Sequence, residues 1–229
     1  MISNKYFALY FRIFAFLFAT IGILRQTGIL FGIFSIRPFM YYTVQSNVLA
    51  IFLFTILIYK TIIAIREKSY DSVGYYPRLS MICSVYLLVT LIVFWALLVP
   101  QLDLGMDYLL SFENLAVHLI TPLLCLLDYI MFTEARKLKY RDVYYVCIFP
   151  VIYVIFSIGA GLVGYVYGYE RVSGSPFSSY IELVPVRVPY FFLDFDRLGL
   201  MVIIYCTGIL AFFLLLSHII YWIDHKVRK

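Results

Sequence analysis

Long apolar runs separated by short polar stretches fill most of the chain. Six runs stand out, and each holds about 19 to 27 residues, enough for a helix to cross roughly 30 Å of hydrocarbon. The runs extend over Tyr6 to Leu24, Phe39 to Ile65, Leu79 to Val99, Tyr108 to Phe132, Val143 to Tyr167, and Leu198 to Ile223. This pattern predicts an all-α polytopic membrane protein, in which residues 1-229 form a single six-transmembrane-helix bundle.

The fourth run carries polar side chains through a segment that is otherwise apolar. Positions i, i+4, i+7 and i+11 share one helix face, and in SFENLAVHLITPLLCLLD they are Asn114, His118, Thr121 and Cys125. Asp128 lies near the end of this stripe. A polar stripe in a membrane helix must face other helices or a water-filled cavity, so an ionisable residue there indicates a functional site.

The second run begins with another polar stripe. Pro38 suits a first helical turn, and one face of the helix that follows holds Thr43, Ser46, Asn47 and Ala50. Hydrogen bonds between helices are one interpretation, since such bonds are common in membranes and contribute about 0.6 to 2 kcal/mol each. The other interpretation is a share in a site with His118.

Composition and charge agree with a membrane protein. The chain is 64% hydrophobic and 14% charged, with a mean hydropathy of +0.94, which excludes a soluble domain of this length. Of the 18 Lys and Arg residues, thirteen, Arg12 among them, fall on the side that holds both termini. The positive-inside rule therefore predicts that both termini are cytoplasmic. The same rule accounts for the net charge of +5, so no nucleic-acid partner is predicted.

Metal-dependent chemistry is not predicted. The four cysteines lie inside apolar runs without metal-ligand spacing, which favours packing roles. Counted from the outer face, His118 lies about 15 Å down its predicted helix and His218 about 30 Å down its own, too far apart to share a zinc ion. We expect no metal and no cofactor.

The stretch between the fifth and sixth runs, residues 168-197, is long and unusually apolar. Pro185 and Pro189 interrupt the string IELVPVRVPYFFLDF, so a continuous helix is excluded. We expect this outer loop to lie on the membrane surface or to cover the mouth of a cavity. Asp196 is expected to cap the sixth span. For Asp194 a role in loop structure and a role in the site are equally favoured.

The chemistry that remains pairs a hydroxyl with an imidazole. The chain has no Gly-x-Ser-x-Gly elbow, and Thr43 and His118 fit the logic of a nucleophile with a general base. An amide of Asn47 or Asn114 is expected to donate to a developing oxyanion. Helix counting places Thr43 about 6 Å deep and His118 about 15 Å deep, so tilt, a kink or shifted boundaries must bring them together.

Three short motifs resemble a known family. They are YYTVQSN in the second run, NLAVHLITP in the fourth with Asp128 beyond it, and PYFFLDFDRLG before the sixth. They resemble the androgen-induced-gene and androgen-dependent coagulation-regulator proteins and their bacterial six-span relatives. The resemblance implies a threonine hydrolase of fatty acid esters of hydroxy fatty acids, with Thr43 as nucleophile and His118 as base. The animal pattern has a second histidine before the catalytic one and a hydroxyl after it, where this chain has Ala116, Val117 and Leu119.

The leading hypothesis is an intramembrane hydrolase of a lipid-like ester in a bacterial plasma membrane. Its substrate would reach a cavity between spans two, four and six, under the outer loop, with Ser46 and Asp194 as further polar support. The alternative is a non-catalytic transporter or lipid-binding scaffold that uses the same polar stripes. A purely structural membrane protein is a third class, and it leaves His118 without a purpose. The expected partners are the lipid bilayer and a lipid-like small molecule.

Overall fold

Six long helices dominate the computed structural model, which describes residues 2–68, 73–101, 105–173 and 181–227. All six are long and apolar enough to cross a membrane, and we label them α1 to α6. Their bounds are Lys5–Gln26, Tyr42–Arg66, Pro77–Leu98, Phe112–Phe132, Tyr140–Leu162 and Met201–Lys226. Each predicted span overlaps one of these helices, which confirms the all-α, multi-pass membrane fold.

Several of the helices change their hydrogen-bonding pattern along their length. α3 is α-helical over Pro77–Ile92 and continues as the π-helical Val93–Leu98. α4 consists of Phe112–Leu115, the π-helical Ala116–Ile120 and Thr121–Phe132. α5 opens as a 3₁₀ helix and α6 closes with a π turn. Because π segments are rare and occur frequently at functional sites, those in α3 and α4 indicate where a functional site could lie.

Short elements connect the long helices. The 3₁₀ turns are Ile29–Phe31, Arg37–Met40, Val99–Gln101 and Phe191–Leu193. The short α-helices are Met106–Leu109 and Phe195–Leu198. Two strands, β1 (Gly168–Ser173) and β2 (Ile181–Val186), lie between α5 and α6. The chain packs as two compact units, one of Met1–Val146 with Phe213–Lys229 and one of Cys147–Phe212.

The first unit is held together by small residues on α1 and large ones on its neighbours. Ala8, Ala15 and Ala19 of α1 are fully buried. At Gly22 an added Cβ would lie 2.8 Å from Ala116 Cβ, so only glycine lets α1 approach the π segment of α4 this closely. Larger side chains of α2, α3 and α4 fill the core beside α1: Leu53, Phe54, Leu57, Leu87 and Leu124.

A buried ion pair links three helices of this unit. Arg12 Nε donates to Asp128 Oδ1 at 2.8 Å, and Nη1 donates to Thr61 Oγ1 at 2.7 Å. Nη2 donates to the Val73 carbonyl at 2.9 Å. The Arg12 guanidinium therefore lies inside the bundle, bonded near the C-terminal ends of α2 and α4. The assignment of Arg12 to the inner side and the cytoplasmic placement of both termini stay predictions.

The second unit contains a hairpin that the sequence pattern does not predict. β1 and β2 pair antiparallel, from Gly168 opposite Val186 to Ser173 opposite Ile181. Residues 174–180 of the predicted outer loop lie outside the described part of the chain. The predicted placement of this loop on the membrane surface or over a cavity stays a prediction.

The acidic residues before α6 have local roles in the same unit. Asp194 caps the short helix Phe195–Leu198, with its side chain accepting from the Arg197 N–H at 3.1 Å. Asp196 lies in the first turn of that helix. The prediction that Asp196 caps the sixth span was wrong, because α6 begins at Met201 after the short helix has ended at Leu198.

Candidate functional site

Thr43 and His118, from two different helices, meet in the first unit. Thr43 is the second residue of α2, and His118 is the central residue of the π segment of α4. Thr43 Oγ1 lies 3.3 Å from His118 Nε2, a long hydrogen bond. His118 is 5% exposed, whereas Thr43 is partly exposed. A hydroxyl and an imidazole from separate helices are thus within reach of proton transfer.

The depth difference expected from helix counting does not keep these side chains apart. That count assumed that the second and fourth spans start at one level. In the structure α2 follows the 3₁₀ turn Arg37–Met40, and α4 starts at Phe112, where the Ser111 Oγ caps it by accepting from the Asn114 N–H at 3.3 Å. The 3.3 Å contact between Thr43 and His118 shows that the two helix starts are staggered.

The hydrogen bond made by His118 Nδ1 determines that Nε2, the nitrogen facing Thr43, is an acceptor. His118 Nδ1 lies 3.2 Å from the carbonyl oxygen of Asn114. A carbonyl oxygen can only accept, so Nδ1 carries the proton and the neutral ring keeps its lone pair on Nε2. That lone pair points at the Thr43 hydroxyl, which is the arrangement a general base requires.

Asn47 joins the backbone of Thr43 to the backbone of Val117, the residue before His118. Its Nδ2 donates to the Thr43 carbonyl at 2.8 Å and to the Val117 carbonyl at 3.0 Å. Both N–H groups of the amide therefore have backbone acceptors, and the expected donation to an oxyanion would require breaking one of these bonds. In this arrangement Asn47 positions the turn of Thr43 against the turn of His118.

Asn114 and Ser46 also make contacts within the bundle. Asn114 Nδ2 donates to the Leu109 carbonyl at 2.9 Å. Ser46 Oγ donates to the Thr43 carbonyl at 3.0 Å and lies 3.0 Å from Thr90 Oγ1 on α3. Ser46 therefore links α2 to α3 one turn below Thr43, as the interhelical interpretation of this stripe expects.

Three buried oxygens near the dyad have no hydrogen-bond partner within the described ranges. They are Asn47 Oδ1, Asn114 Oδ1 and Thr121 Oγ1, all on residues with no exposed surface. Buried polar atoms are paired in the great majority of cases, so such orphans need an explanation. Each of these oxygens can accept a hydrogen bond, and a water molecule or a substrate group with a donor would satisfy it.

Two residues of α3 complete the surroundings of His118, and the sequence reasoning missed both. The Phe94 ring stacks on the imidazole, with ring centroids 3.6 Å apart and planes inclined by 20°. Trp95 Nε1 donates to the His118 carbonyl at 3.2 Å. The sequence interpretation of this span as scaffold gave Phe94 and Trp95 no role. The signal was Trp95 itself, one of only two tryptophans in the chain and the only one in this apolar run.

The remaining acidic candidates have partners of their own. Asp128 pairs with Arg12 at 2.8 Å, a partner that the sequence analysis did not predict when it placed Asp128 too far down the helix to orient His118. Asp194 belongs to the second unit, where it caps a short helix. The structure thus brings together Thr43, His118, Asn47, Asn114 and Ser46 around one pair of turns.

Comparison with known proteins found no relative of this chain. Neither the family models, nor the curated proteins, nor the solved structures gave a match to this chain. The functional interpretation therefore depends on the chemistry of the residues themselves and on the short motifs that contain them.

Proposed function

We propose that this protein is an intramembrane hydrolase of a lipid-like ester, with Thr43 as the nucleophile and His118 as the general base. The observation that carries the proposal is the 3.3 Å contact from Thr43 Oγ1 to His118 Nε2, on a ring whose other nitrogen donates to the Asn114 carbonyl. This contact supplies a proton acceptor for a hydroxyl that is too weak a nucleophile by itself.

The proposed reaction has two halves. In acylation Thr43 Oγ1 gives its proton to His118 Nε2 and bonds to the ester carbonyl carbon, and the carbon–oxygen bond to the alcohol breaks. His118 returns the proton to the leaving alkoxide. In hydrolysis a water molecule gives a proton to Nε2 and adds to the acyl carbon, and the bond to Oγ1 breaks. Thr43 recovers the proton, so ester and water become acid and alcohol.

The position of Thr43 at the start of α2 supports its role as nucleophile. The backbone N–H of Gln45 donates to the Tyr41 carbonyl at 3.2 Å, so the helical hydrogen bonds begin just after Thr43. The first N–H groups of a helix lack acceptors one turn back and lie at the positive end of its dipole. The N–H groups of Thr43 and Val44, rather than the occupied amide of Asn47, are the proposed source of oxyanion stabilisation.

The substrate class follows from where the dyad lies and from the motifs around it. Both residues belong to helices that are long and apolar enough to cross a membrane, which favours a substrate that partitions into lipid. The motifs YYTVQSN and NLAVHLITP resemble those of hydrolases of fatty acyl esters, which supports this class. By the same resemblance we propose the bacterial plasma membrane as the location and lateral access from the bilayer as the route.

A lipid-binding scaffold is the second candidate, and a specific cavity favours it. A groove of about 550 Å³ lies between α2 and the start of α3, lined by Thr55, Ile56, Tyr59, Lys60, Tyr76 and Leu79. Its volume is typical of small-molecule sites, which hold about 300 to 1,000 Å³. A scaffold, or the transporter of the same alternative, would bind or move lipid without converting it. This candidate would be favoured if bound lipid were recovered unchanged and if Thr43 were not labelled.

Covalent labelling tests the proposed hydrolase directly. A fluorophosphonate probe should phosphonylate purified protein at Thr43, as the Thr43 oxygen bonds to phosphorus and fluoride leaves. Peptide mass spectrometry locates the adduct. Thr43→Ala and His118→Ala should each abolish labelling while the thermal unfolding midpoint stays close to that of the parent.

Two matched controls sharpen this experiment. Thr20→Ala removes a threonine of α1 whose hydroxyl donates to the Phe16 carbonyl at 2.7 Å. His218→Ala removes a histidine whose Nδ1 lies 2.7 Å from the Leu214 carbonyl, the same local bond that His118 makes. Both controls should label at the parent rate. Labelling that survives in Thr43→Ala, or that falls equally in the controls, would contradict the proposal.

A further inference from the structure

His118 must hold a positive charge for part of the proposed reaction, and no carboxylate among the described residues bonds to its ring. Within the described ranges its ring nitrogens contact the Asn114 carbonyl and the Thr43 hydroxyl. The nearest acidic residue in the sequence, Glu113, pairs with Arg25 at 3.0 Å. In a Ser-His-Asp triad a buried carboxylate stabilises the imidazolium, so another group must do so here.

The face of the imidazole is covered by an aromatic ring. Phe94 lies parallel to His118 with centroids 3.6 Å apart, and only 5% of its surface is exposed. The face of a benzene ring carries negative potential and attracts a cation within about 6 Å of its centroid. The attraction grows when the pair is removed from water. The ring therefore contacts the charge that His118 acquires.

Two features hold Phe94 in this position. The first is the π segment Val93–Leu98, which presents Phe94 and Trp95 towards the π segment of α4. The second is Trp95, whose ring meets Phe94 edge-on at 5.3 Å and whose Nε1 donates to the His118 carbonyl. Neighbouring residues of α3 thus contact the side chain and the backbone of the same histidine.

We propose that Phe94 is a positioning residue that acts through His118, stabilising the imidazolium with its π face while the Asn114 carbonyl holds the Nδ1 proton. This inference rests on the proposed function. It assigns to a phenylalanine and a backbone carbonyl the task that a carboxylate performs in a triad. The proton still moves between Thr43 Oγ1, His118 Nε2 and the leaving group, and Phe94 itself exchanges none.

Fluorinated phenylalanine separates this electrostatic role from simple packing. Each ring fluorine withdraws electron density from the face and changes the shape only slightly. Phenylalanine with one, two and three ring fluorines, introduced at position 94, should slow the labelling of Thr43 step by step, to about one tenth of the parent rate. Phe94→Leu should slow labelling by at least as much, and Phe94→Tyr should stay within about threefold of the parent.

The matched control is the same fluorine series at Phe54, a buried phenylalanine of α2 that belongs to the core beside α1. Labelling should not change along that series. A rate that stays flat across the Phe94 series, with Thr43 still labelled, would overturn the role of Phe94 and leave the hydrolase standing. Parent protein that is never labelled at Thr43 removes both proposals. Unfolding midpoints measured for every variant show whether a slow variant is still folded.

Discussion

Two buried polar clusters lie towards opposite ends of α2, and they differ in how well their groups are satisfied. Around Arg12, near Thr61, every guanidinium nitrogen donates to an acceptor, and Asp128 receives two of these bonds. Around Thr43 three buried oxygens have no partner in the described part of the chain. The first cluster is complete within the protein, whereas the second offers free acceptors beside a partly exposed hydroxyl.

This difference distinguishes polar groups that stabilise the bundle from polar groups that are available for chemistry. A satisfied buried network rigidifies the packing around it, and an incomplete one keeps a cost that only a ligand, a water or the reaction can relieve. We therefore expect changes at Arg12 and Asp128 to alter stability without altering labelling of folded protein. Changes around Thr43 should slow labelling more than they lower stability.

The largest effect on stability is expected from breaking the ion pair. Asp128→Leu leaves the Arg12 guanidinium buried without its counter-ion, which should lower the free energy of unfolding by about 3 to 5 kcal/mol. The double variant Arg12→Met with Asp128→Leu should recover most of this loss, because the charge is removed as well. Denaturant unfolding in detergent micelles measures both variants, and labelling per folded molecule should be unchanged.

The control for this variant is Lys137→Ala, which removes the exposed pair of Lys137 with Glu134. It should leave stability nearly unchanged, because exposed ion pairs contribute little. If Asp128→Leu were as stable as the parent, the ion pair between Arg12 and Asp128 would not stabilise the bundle.

The next effect is expected at Asn47, and it should fall on labelling more than on stability. Asn47→Ala removes the donor to both the Thr43 and Val117 carbonyls, so the two turns lose their common contact. Labelling of Thr43 should slow by about a hundredfold, since small displacements of reacting groups have effects of that size. Stability should fall by only about 1 to 3 kcal/mol. Unchanged labelling would show that Asn47 does not position the dyad.

A smaller effect is expected at Trp95. Trp95→Phe keeps an aromatic ring and removes the Nε1 donor to the His118 carbonyl. The loss of one neutral hydrogen bond should lower the free energy of unfolding by about 0.5 to 1.5 kcal/mol and slow labelling several-fold. Trp222→Phe, at an exposed position of α6, is the matched control and should leave the labelling rate as in the parent.

The smallest effect is expected between Ser46 and Thr90. Their hydroxyls lie 3.0 Å apart and join α2 to α3. A double-mutant cycle with Ser46→Ala and Thr90→Val should give a coupling of about 0.6 kcal/mol in the free energy of unfolding, the average for such bonds in membranes. A coupling several times larger would place Ser46 with the structural cluster around Arg12.

Much of this molecule is readable from local pattern. Six apolar runs became six helices because a helix that crosses hydrocarbon must be long, apolar and internally hydrogen-bonded. The polar stripes of the second and fourth runs selected Thr43, His118, Asn47 and Asn114 from spacing alone. The same reading found no partner for Arg12, because Thr61 and Asp128 are distant in sequence. It predicted no hairpin between α5 and α6, because Pro185 within β2 counts against a strand.

The sequence by itself determined the number of spans, their polar faces and the two side chains worth pairing. Only the tertiary structure decided that Thr43 Oγ1 and His118 Nε2 lie 3.3 Å apart and that Phe94 covers the imidazole. It also decided that Asn47 donates to the Thr43 and Val117 carbonyls. The physical reason is that apolar periodicity is a property of one helix. The stagger between helices depends on close packing between them. One example is Gly22, which lets α1 approach Ala116 of α4 closely.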